Sequence, residues 1–390
     1  MSEQRVIVVG AGLAGLAAAT ALHHAGVPTT VLERVPEMGP VGAIIGVTHR
    51  AATELEKAGR GDVVEQACIP VDGIEYYTWG GKPLTRMPIR EASRATGTQT
   101  FITMRADVQL GLYNALGPNV VKVASEVTGY EDGPDGITVK LADGREERCA
   151  ALLGADGIQS VVRQQLLGDQ PVYTGYLAWR GVVEVDPLPI KPGVANQLLG
   201  RGRTCGAFGL SKNRMYWFVT QLTPPNGKDS PAGRKADVLK AFQGGPEFIG
   251  TAIEATADES ILRNDVFYRP AVEKWGSGRV SILGDSAHAT SPATGEGGSH
   301  AILDGAGVAH ALAAVADNFD DAAIVSAALR EYEREAIKRT SEGIARAVGM
   351  GARLHASNPM QCLIRDMIFR FTPESTWLNR AKFYLSADAG

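Results

Sequence analysis

Residues 5–33 read RVIVVGAGLAGLAAATALHHAGVPTTVLE, and few folds accommodate that order. Residues 5–9 are a short β-branched run of the kind buried on both faces of a parallel sheet. Gly10, Gly12 and Gly15 follow as GxGxxG, with Leu13 and Ala14 between them, and Leu13, Leu16, Ala17 and Leu22 continue at helical spacing. The glycines do different things. Gly10 makes a tight turn, Gly12 leaves room for a pyrophosphate against backbone, and Gly15 allows close helix-to-strand packing. The helix that starts there turns free N–H groups and a positive dipole end towards the phosphates. A second strand, residues 29–32, ends in Glu33, eighteen residues beyond Gly15. A carboxylate at that point accepts hydrogen bonds from the adenosine ribose and disfavours a 2′-phosphate. The pattern predicts a dinucleotide site. A plain strand-to-helix turn is the alternative, and these residues alone select neither FAD nor NAD.

The composition around this segment is that of a globular protein. The chain has 390 residues, 44% apolar and 21% charged, ample for a core that encloses a cofactor. With 39 basic residues against 43 acidic ones, a net charge of −4 and no basic stripe, no nucleic-acid partner is expected. Cys68, Cys149, Cys205 and Cys362 lie far apart and form no CxxC pair. That spacing argues against a metal site or a disulfide framework and for a reduced, cytoplasmic setting. The apolar stretch at residues 6–22 is interrupted by glycines and reads as strand, turn and helix, so no signal peptide, membrane span or membrane partner is expected.

Two later segments repeat the logic of the first. ALLGADGIQSVVR, residues 151–163, is an apolar strand ending at Asp156-Gly157, with Ser160 and Arg163 behind it. GRVSILGDSAHATSPATGEGG, residues 278–298, is an apolar strand, then Gly284-Asp285, then a glycine-rich turn into a helical pattern at Ile302, Val308, Leu312 and Val315. A nicotinamide dehydrogenase, whose later chain builds a separate catalytic domain, has no reason to return with a second acidic strand end.

The order GxGxxG, GADGxxSxxR, GDSAHxxxPxxGxGG resembles the class A FAD-dependent aromatic monooxygenases, the family of para-hydroxybenzoate, salicylate, 3-hydroxybenzoate and urate hydroxylases, over about residues 5–345. The resemblance implies bound FAD. Asp285, after Gly284, would accept hydrogen bonds from the ribityl hydroxyls, which also supplies the partners a buried carboxylate requires. Asp156 would sit near the pyrophosphate, in a loop that also faces NAD(P)H. Gly295, Gly297 and Gly298 would let backbone N–H groups approach the pyrimidine end of the flavin, with the positive end of the following helix near N1 and O2. Pro292 would shape the peptide beside the flavin C4a, where oxygen adds. Arg105, in ITMRADVQLGLYNAL, matches a family arginine that contacts the cofactor from the start of a helix, a surface arginine being the alternative; Arg34 and Gly42-Ala43-Ile44 would line the cofactor path. Glu296 stands where relatives commonly carry Gln, and His49-Arg50 where they carry Pro-Asn. Glu296 is expected to point to solvent or to serve this chain's own substrate, and His300 to be an exposed residue of the first helical turn.

Residues 173–267 alternate as an antiparallel sheet, in YLAWRGVVEV, RTCGAFGL and RMYWFVTQL. By the resemblance this is the substrate-binding sheet, laid over the flavin to make a water-poor chamber. Neighbouring strand residues face opposite ways, so Trp179 and Arg180 do not share a face, nor do Tyr216 and Trp217. Arg180 and Tyr216 are favoured as substrate contacts; an ordinary salt bridge for Arg180 and a core position for Tyr216 are the alternatives. No Ser/His/Asp order, HExxH or P-loop is present, and the general base is unassigned.

The expected architecture is α/β, a Rossmann-like FAD-binding domain with a parallel sheet, an inserted antiparallel substrate domain and C-terminal helices. Residues 1–172 form the first part of the FAD domain, with a substrate-side excursion at about 73–100; residues 173–267 form the substrate sheet. Residues 268–345 complete the FAD domain and 346–390 are helical, the amphipathic end shielding the site entrance or, more plainly, packing in the core. The implied reaction is hydroxylation of a small aromatic or heteroaromatic molecule through a flavin C4a-hydroperoxide, with O2 and a transiently bound NADH or NADPH, in a monomer or homodimer. Epoxidation of an alkene and a non-catalytic FAD-binding protein are the alternatives. The WxWxIP motif of flavin halogenases is absent.

Overall fold

The strand Val6–Val9 is fully buried, as its β-branched sequence demands, and pairs parallel with Thr29–Leu32 on one side and Ala151–Gly154 on the other. It is the middle of a six-stranded sheet in the order Gly276–Ser277, Val280–Ile282, Ala151–Gly154, Val6–Val9, Thr29–Leu32, Val121–Lys122. The chain first builds outward on the Thr29 side and then returns to the Ala151 side, so the order reverses at Val6–Val9. In open parallel sheets ligands bind at such a reversal, beyond the carboxyl ends of the strands. The computed structural model describes residues 4–39, 42–211 and 213–387.

The chain divides into two compact units. The first comprises Met1–Cys68, Met104–Val172 and Tyr268–Ala347. It holds the six-stranded sheet, a three-stranded antiparallel meander of Val127–Gly133, Gly136–Leu141 and Glu146–Cys149, and the helices Leu13–His24, Arg105–Leu116 and Gly297–Ala313. Leu13–His24 is almost wholly buried because Gly297–Ala313 packs along it. Gly305 permits the approach, since a Cβ there would lie 2.5 Å from the Ala18 nitrogen. The apolar pattern continued to Val315, but the helix stops at Ala313 and Val315 lies beyond it.

The second unit comprises Ile69–Thr103, Tyr173–Phe267 and Val348–Gly390. Its seven-stranded sheet runs Leu262–Tyr268, Val172–Glu184, Arg214–Leu222, Arg203–Gly209, Val194–Leu199, Gly73–Thr78, Pro83–Met87. The helices Arg234–Phe242 and Glu247–Ala255 cover one face, where Trp179, Val183, Trp217 and Val219 join Val238, Phe242 and Ile249 in one core. At the C-terminal end Pro359–Phe371 is capped by the Asn358 side chain, which accepts from the Met360 and Gln361 N–H groups. Core packing was the plainer expectation here; instead only one side of this helix turns inward, and its apolar stripe is exposed. Among the described residues no helix is long and apolar enough to cross a membrane.

Candidate functional site

The glycine turn is shaped by backbone crowding. Gly10 sits at φ +99°, and a Cβ there would meet the Ala155 carbonyl oxygen at 2.6 Å, which excludes every other residue. A Cβ at Gly15 would lie 2.0 Å from the Gly10 oxygen, so this glycine lets the helix start against its own strand. Gly12 is the N-cap of Leu13–His24 and has no side chain to satisfy the first N–H groups, which stay free at the positive end of the helix. Glu33 closes the turn: its Oε2 accepts from the Ala11 N–H at 2.6 Å and its Oε1 from the Val35 N–H at 3.0 Å. Arg105 opens Arg105–Leu116, with its N–H donating to the Ala43 oxygen. Its guanidinium reaches over Gly12, Nη2 standing 3.4 Å from where a Cβ would be, and its stem packs on Gly42. One turn on, Gln109 Nε2 donates to the Ala11 oxygen at 2.7 Å. Arg34 is exposed.

The second motif abuts the first through backbone, with the Asp156 Cα 3.0 Å from the missing Gly10 Cβ. The Asp156 side chain turns the other way. It accepts from Ser160 Oγ at 2.6 Å, Val161 N–H at 2.7 Å, Val162 N–H at 3.4 Å and Ser286 Oγ at 3.2 Å, and so caps the helix Val161–Leu167. Arg163 is fully buried; its guanidinium clasps Asp169 at 2.8 and 2.5 Å and donates to the carbonyls of Ser286 and Ala287 at 3.0 and 2.7 Å. Arg269 completes the clasp through Asp169 Oδ1 at 2.9 Å and the Ile158 carbonyl at 2.7 Å. The Arg163 hydrogen bonds hold the Asp169 carboxyl below its usual range.

The third motif is locked to both. Gly284, at φ +60° and ψ −141°, would place a Cβ 2.5 Å from that of Ala14. Its N–H donates to Asp304 Oδ2 at 2.8 Å, which also meets His288 Nε2 at 2.6 Å, while Oδ1 accepts from Arg339 Nη2 at 2.5 Å. Burial would raise the Asp304 carboxyl; the His288 and Arg339 charges and these hydrogen bonds outweigh it and hold the group low. Asp285, the next residue, is exposed, and its carboxylate carries no hydrogen bond among the described residues. Pro292, also exposed, opens a single turn, Pro292–Thr294, that ends at Gly295 with φ +72°. The helix Gly297–Ala313 then begins without a side-chain cap. Ser299 stitches this turn to residues 46–48, accepting from the Thr48 N–H at 2.9 Å and donating to the Gly46 oxygen at 3.0 Å, and Gly298 has no room for a Cβ beside Ile45.

In the second unit the register places Arg180 opposite Phe218 and Val182 opposite Tyr216. Arg180 and Tyr216 thus share the face away from the two covering helices, with Phe208 and Phe218 beside them, while Trp179 and Trp217 lie in the core. Gly206 makes room for the Phe218 ring, whose Cε1 would be 2.2 Å from a Cβ there. Among the described residues the half-buried Arg180 guanidinium has one hydrogen bond, to the Asn264 amide at 3.1 Å, no carboxylate partner, and a buried Nε with no acceptor.

Residues 3–346 match the family model described as FAD binding domain. The chain belongs to this FAD-binding family. It is 32% identical over 366 residues to the aurachin C monooxygenase/isomerase of Stigmatella aurantiaca, covering 94% of this chain and 93% of that one. It is 31% identical over 372 residues to a 3-amino-4-hydroxybenzoate 2-monooxygenase of Streptomyces platensis, covering 94% and 92%. Among solved structures, Klebsiella pneumoniae HpxO complexed with FAD and uric acid superposes with a TM-score of 0.88 at 26% identity, over 98% of this chain and 96% of that one.

The residues present fit FAD. Gly12 keeps open a cradle under Arg105, two helix N-termini are uncapped by side chains, and the exposed Asp285 carboxylate is unpaired on the motif it shares with Gly284. Asp285 lies on the surface side of this motif, while Asp304 stands inside on the neighbouring Gly284 N–H. Two expectations change. The Asp156 carboxylate is spent on capping its own helix, so only its backbone borders the glycine turn. His300 is half-buried, not exposed: neither ring nitrogen has solvent or a partner, and burial, reinforced by His288 and Arg339, pulls its pKa down to about 3. Glu296 pairs with Arg346 at 3.4 Å. Gln109, Asp169, Arg269, Ser299 and Asp304 were missed. Only Asp304 left a mark, as a charge inside the apolar run after residue 300.

Proposed function

We propose that this chain is an FAD-dependent monooxygenase that consumes NAD(P)H and O2 to hydroxylate a small aromatic or heteroaromatic molecule. The observation that carries the reading is the convergence of three glycine-bearing motifs, with Gly284 against Ala14 and the Asp156 backbone against Gly10, in a member of the FAD-binding family. Activity on 3-amino-4-hydroxybenzoate and a bound uric acid, in proteins similar to this one, support an electron-rich ring as substrate.

When bound, FAD supplies the electron transfer from nicotinamide and the activation of dioxygen. The chain supplies the rest. Glu33 has lone pairs left after Ala11 and Val35 that would accept from the ribose hydroxyls, and Asp285 would accept from the ribityl hydroxyls. The uncapped start of Gly297–Ala313 would offer its positive end to bound flavin, contributing about 0.3–2 kcal/mol towards negative charge there. Arg180, without a carboxylate of its own, holds an acidic oxygen of the substrate, while Tyr216, buried at 3% exposure, takes the core position that was its alternative and backs the same face. Phe208 and Phe218 give the ring an apolar wall and exclude water. No second GxGxxG exists, so the nicotinamide binds transiently. The four cysteines are free thiols, which supports a cytoplasmic setting.

The test is direct. The purified protein should be yellow, and phenols and N-heterocycles should be screened for stimulated oxidation of NADH and NADPH, with products identified by mass. A colourless protein that cannot be reconstituted with FAD overturns the reading. Retained FAD without stimulated turnover by any substrate leaves a binding protein, and an epoxide as product moves the chain to the alkene-epoxidising branch.

A further inference from the structure

The helix Pro359–Phe371 is apolar on the side turned away from the protein. Met360, Leu363, Ile364, Met367, Ile368 and Phe371 recur at helical spacing and are all exposed, Phe371 by 74%. The opposite side is committed: Phe369 packs at a tilt against Tyr76 and Trp377, and Arg365 is buried, donating to the carbonyls of Gly200 and Leu354 at 2.9 and 3.0 Å. The next helix, Glu374–Ala387, likewise buries Ala381 and Leu385 against Ile89 and Ala92 and exposes Phe383 and Tyr384. Neither outward stripe can therefore rotate into the unit's own core. Monomeric soluble proteins rarely leave so continuous an apolar surface open.

Charge selects the occupant. With Arg365 buried, the accessible charges of the two helices are Arg370, Arg380 and Lys382 against Asp366 and Glu374, a small basic excess in a chain with four more acids than bases overall. The exposed Arg370 adjoins Phe371, and the exposed Arg380 stands one turn before Phe383 and Tyr384, so the bases rim the apolar stripes. A second copy docked on this face would bring cationic rims together. An anionic bilayer matches both features: apolar side chains enter the acyl boundary, aromatics sit at headgroup level, and arginines meet lipid phosphates. At 13 residues the helix is too short to span, so it would lie along the surface. An absent membrane-spanning segment does not bear on this mode of contact.

We propose that the outward faces of Pro359–Phe371 and Glu374–Ala387 form a docking platform for an anionic lipid surface. The FAD-loaded full chain is sedimented with vesicles of equal parts phosphatidylglycerol and phosphatidylcholine, and with phosphatidylcholine alone. It pellets with the anionic vesicles, less so as salt rises, and the combined Leu363→Gln, Ile364→Gln, Phe371→Ser variant stays in the supernatant with its FAD content unchanged. Arg370→Glu with Arg380→Glu weakens binding by at least roughly fivefold per charge removed. Wild-type protein that stays in the supernatant, or that pellets equally with both vesicle types, overturns the proposal. So does a stable dimer in analytical ultracentrifugation that the apolar-face variant dissociates, which would assign the face to a second copy. None of these readouts depends on turnover.

Discussion

Glu33 accepts from the Ala11 N–H across the glycine turn and from the Val35 N–H beside it, so its replacement by the isosteric amide separates charge from shape. Glu33→Gln keeps the volume and loses a charge-assisted acceptor, and charged hydrogen bonds are worth about 1.5–3 kcal/mol. FAD affinity should fall about ten- to a hundredfold, read by fluorescence titration of the apoprotein. His300 makes a prediction of the opposite kind, about acid. Its folded pKa of about 3 lies below the ordinary 6.5, so between these values the unfolded chain binds the extra proton. Stability is therefore lost as pH falls through that window, by about 1.4 kcal/mol per unit. His300→Met, which cannot take the proton, should lose about 2 kcal/mol less than the parent between pH 7 and pH 5, measured by urea denaturation at both. If the two proteins lose the same amount, His300 is not the half-buried neutral ring described above.

Between elements, what holds the site is close approach and one buried clasp. Gly305 lies where Gly297–Ala313 crosses Leu13–His24, and the smallest side chain there must push the helices apart. Gly305→Ala should destabilise by about 1–3 kcal/mol despite its better helix propensity, visible as a lower Tm and weaker FAD retention. Arg163→Met removes the guanidinium that binds Asp169 and two carbonyls of the third motif. An uncompensated buried partner costs about 3–5 kcal/mol, and the variant should unfold at correspondingly lower urea. At this scale the N-terminal strand–helix–strand was legible because two periodicities and three glycines agree over thirty residues. The clasp was not, because Arg163 finds Asp169 nearby in sequence but Arg269 only through folding across a hundred residues, with no local pattern to announce it. Asp285 was legible as a strand-end acid; Asp304, which takes the interior beside it, was not, because it lies in a helix still to come. The C-terminal stripe shows the same limit: spacing reveals that a helix has an apolar side, but what that side faces is settled by its neighbours.

For the molecule as a whole, binding of FAD to the folded state alone is itself a stabilising force. At a free concentration about a hundred times its Kd it should add about 2.7 kcal/mol, so the apoprotein melts below the holoprotein and FAD restores the difference. Equal melting temperatures with and without saturating FAD would deny a native-state site. The class of fold and the three motifs could be read from one chain because each motif is local; the substrate could not, because Arg180, Phe208 and the Tyr216–Phe218 pair lie on three strands and only register makes them neighbours. That the FAD-type unit is assembled from three separated stretches also bears on how the protein is made. A ribosome delivers the first stretch early, but Gly284 and the helix that leans on it emerge only after most of the polypeptide has been synthesised. Capture of the vitamin-derived pigment is therefore a late event in biosynthesis, and a transcript truncated before that point yields a nascent product with half a clasp and nothing to hold.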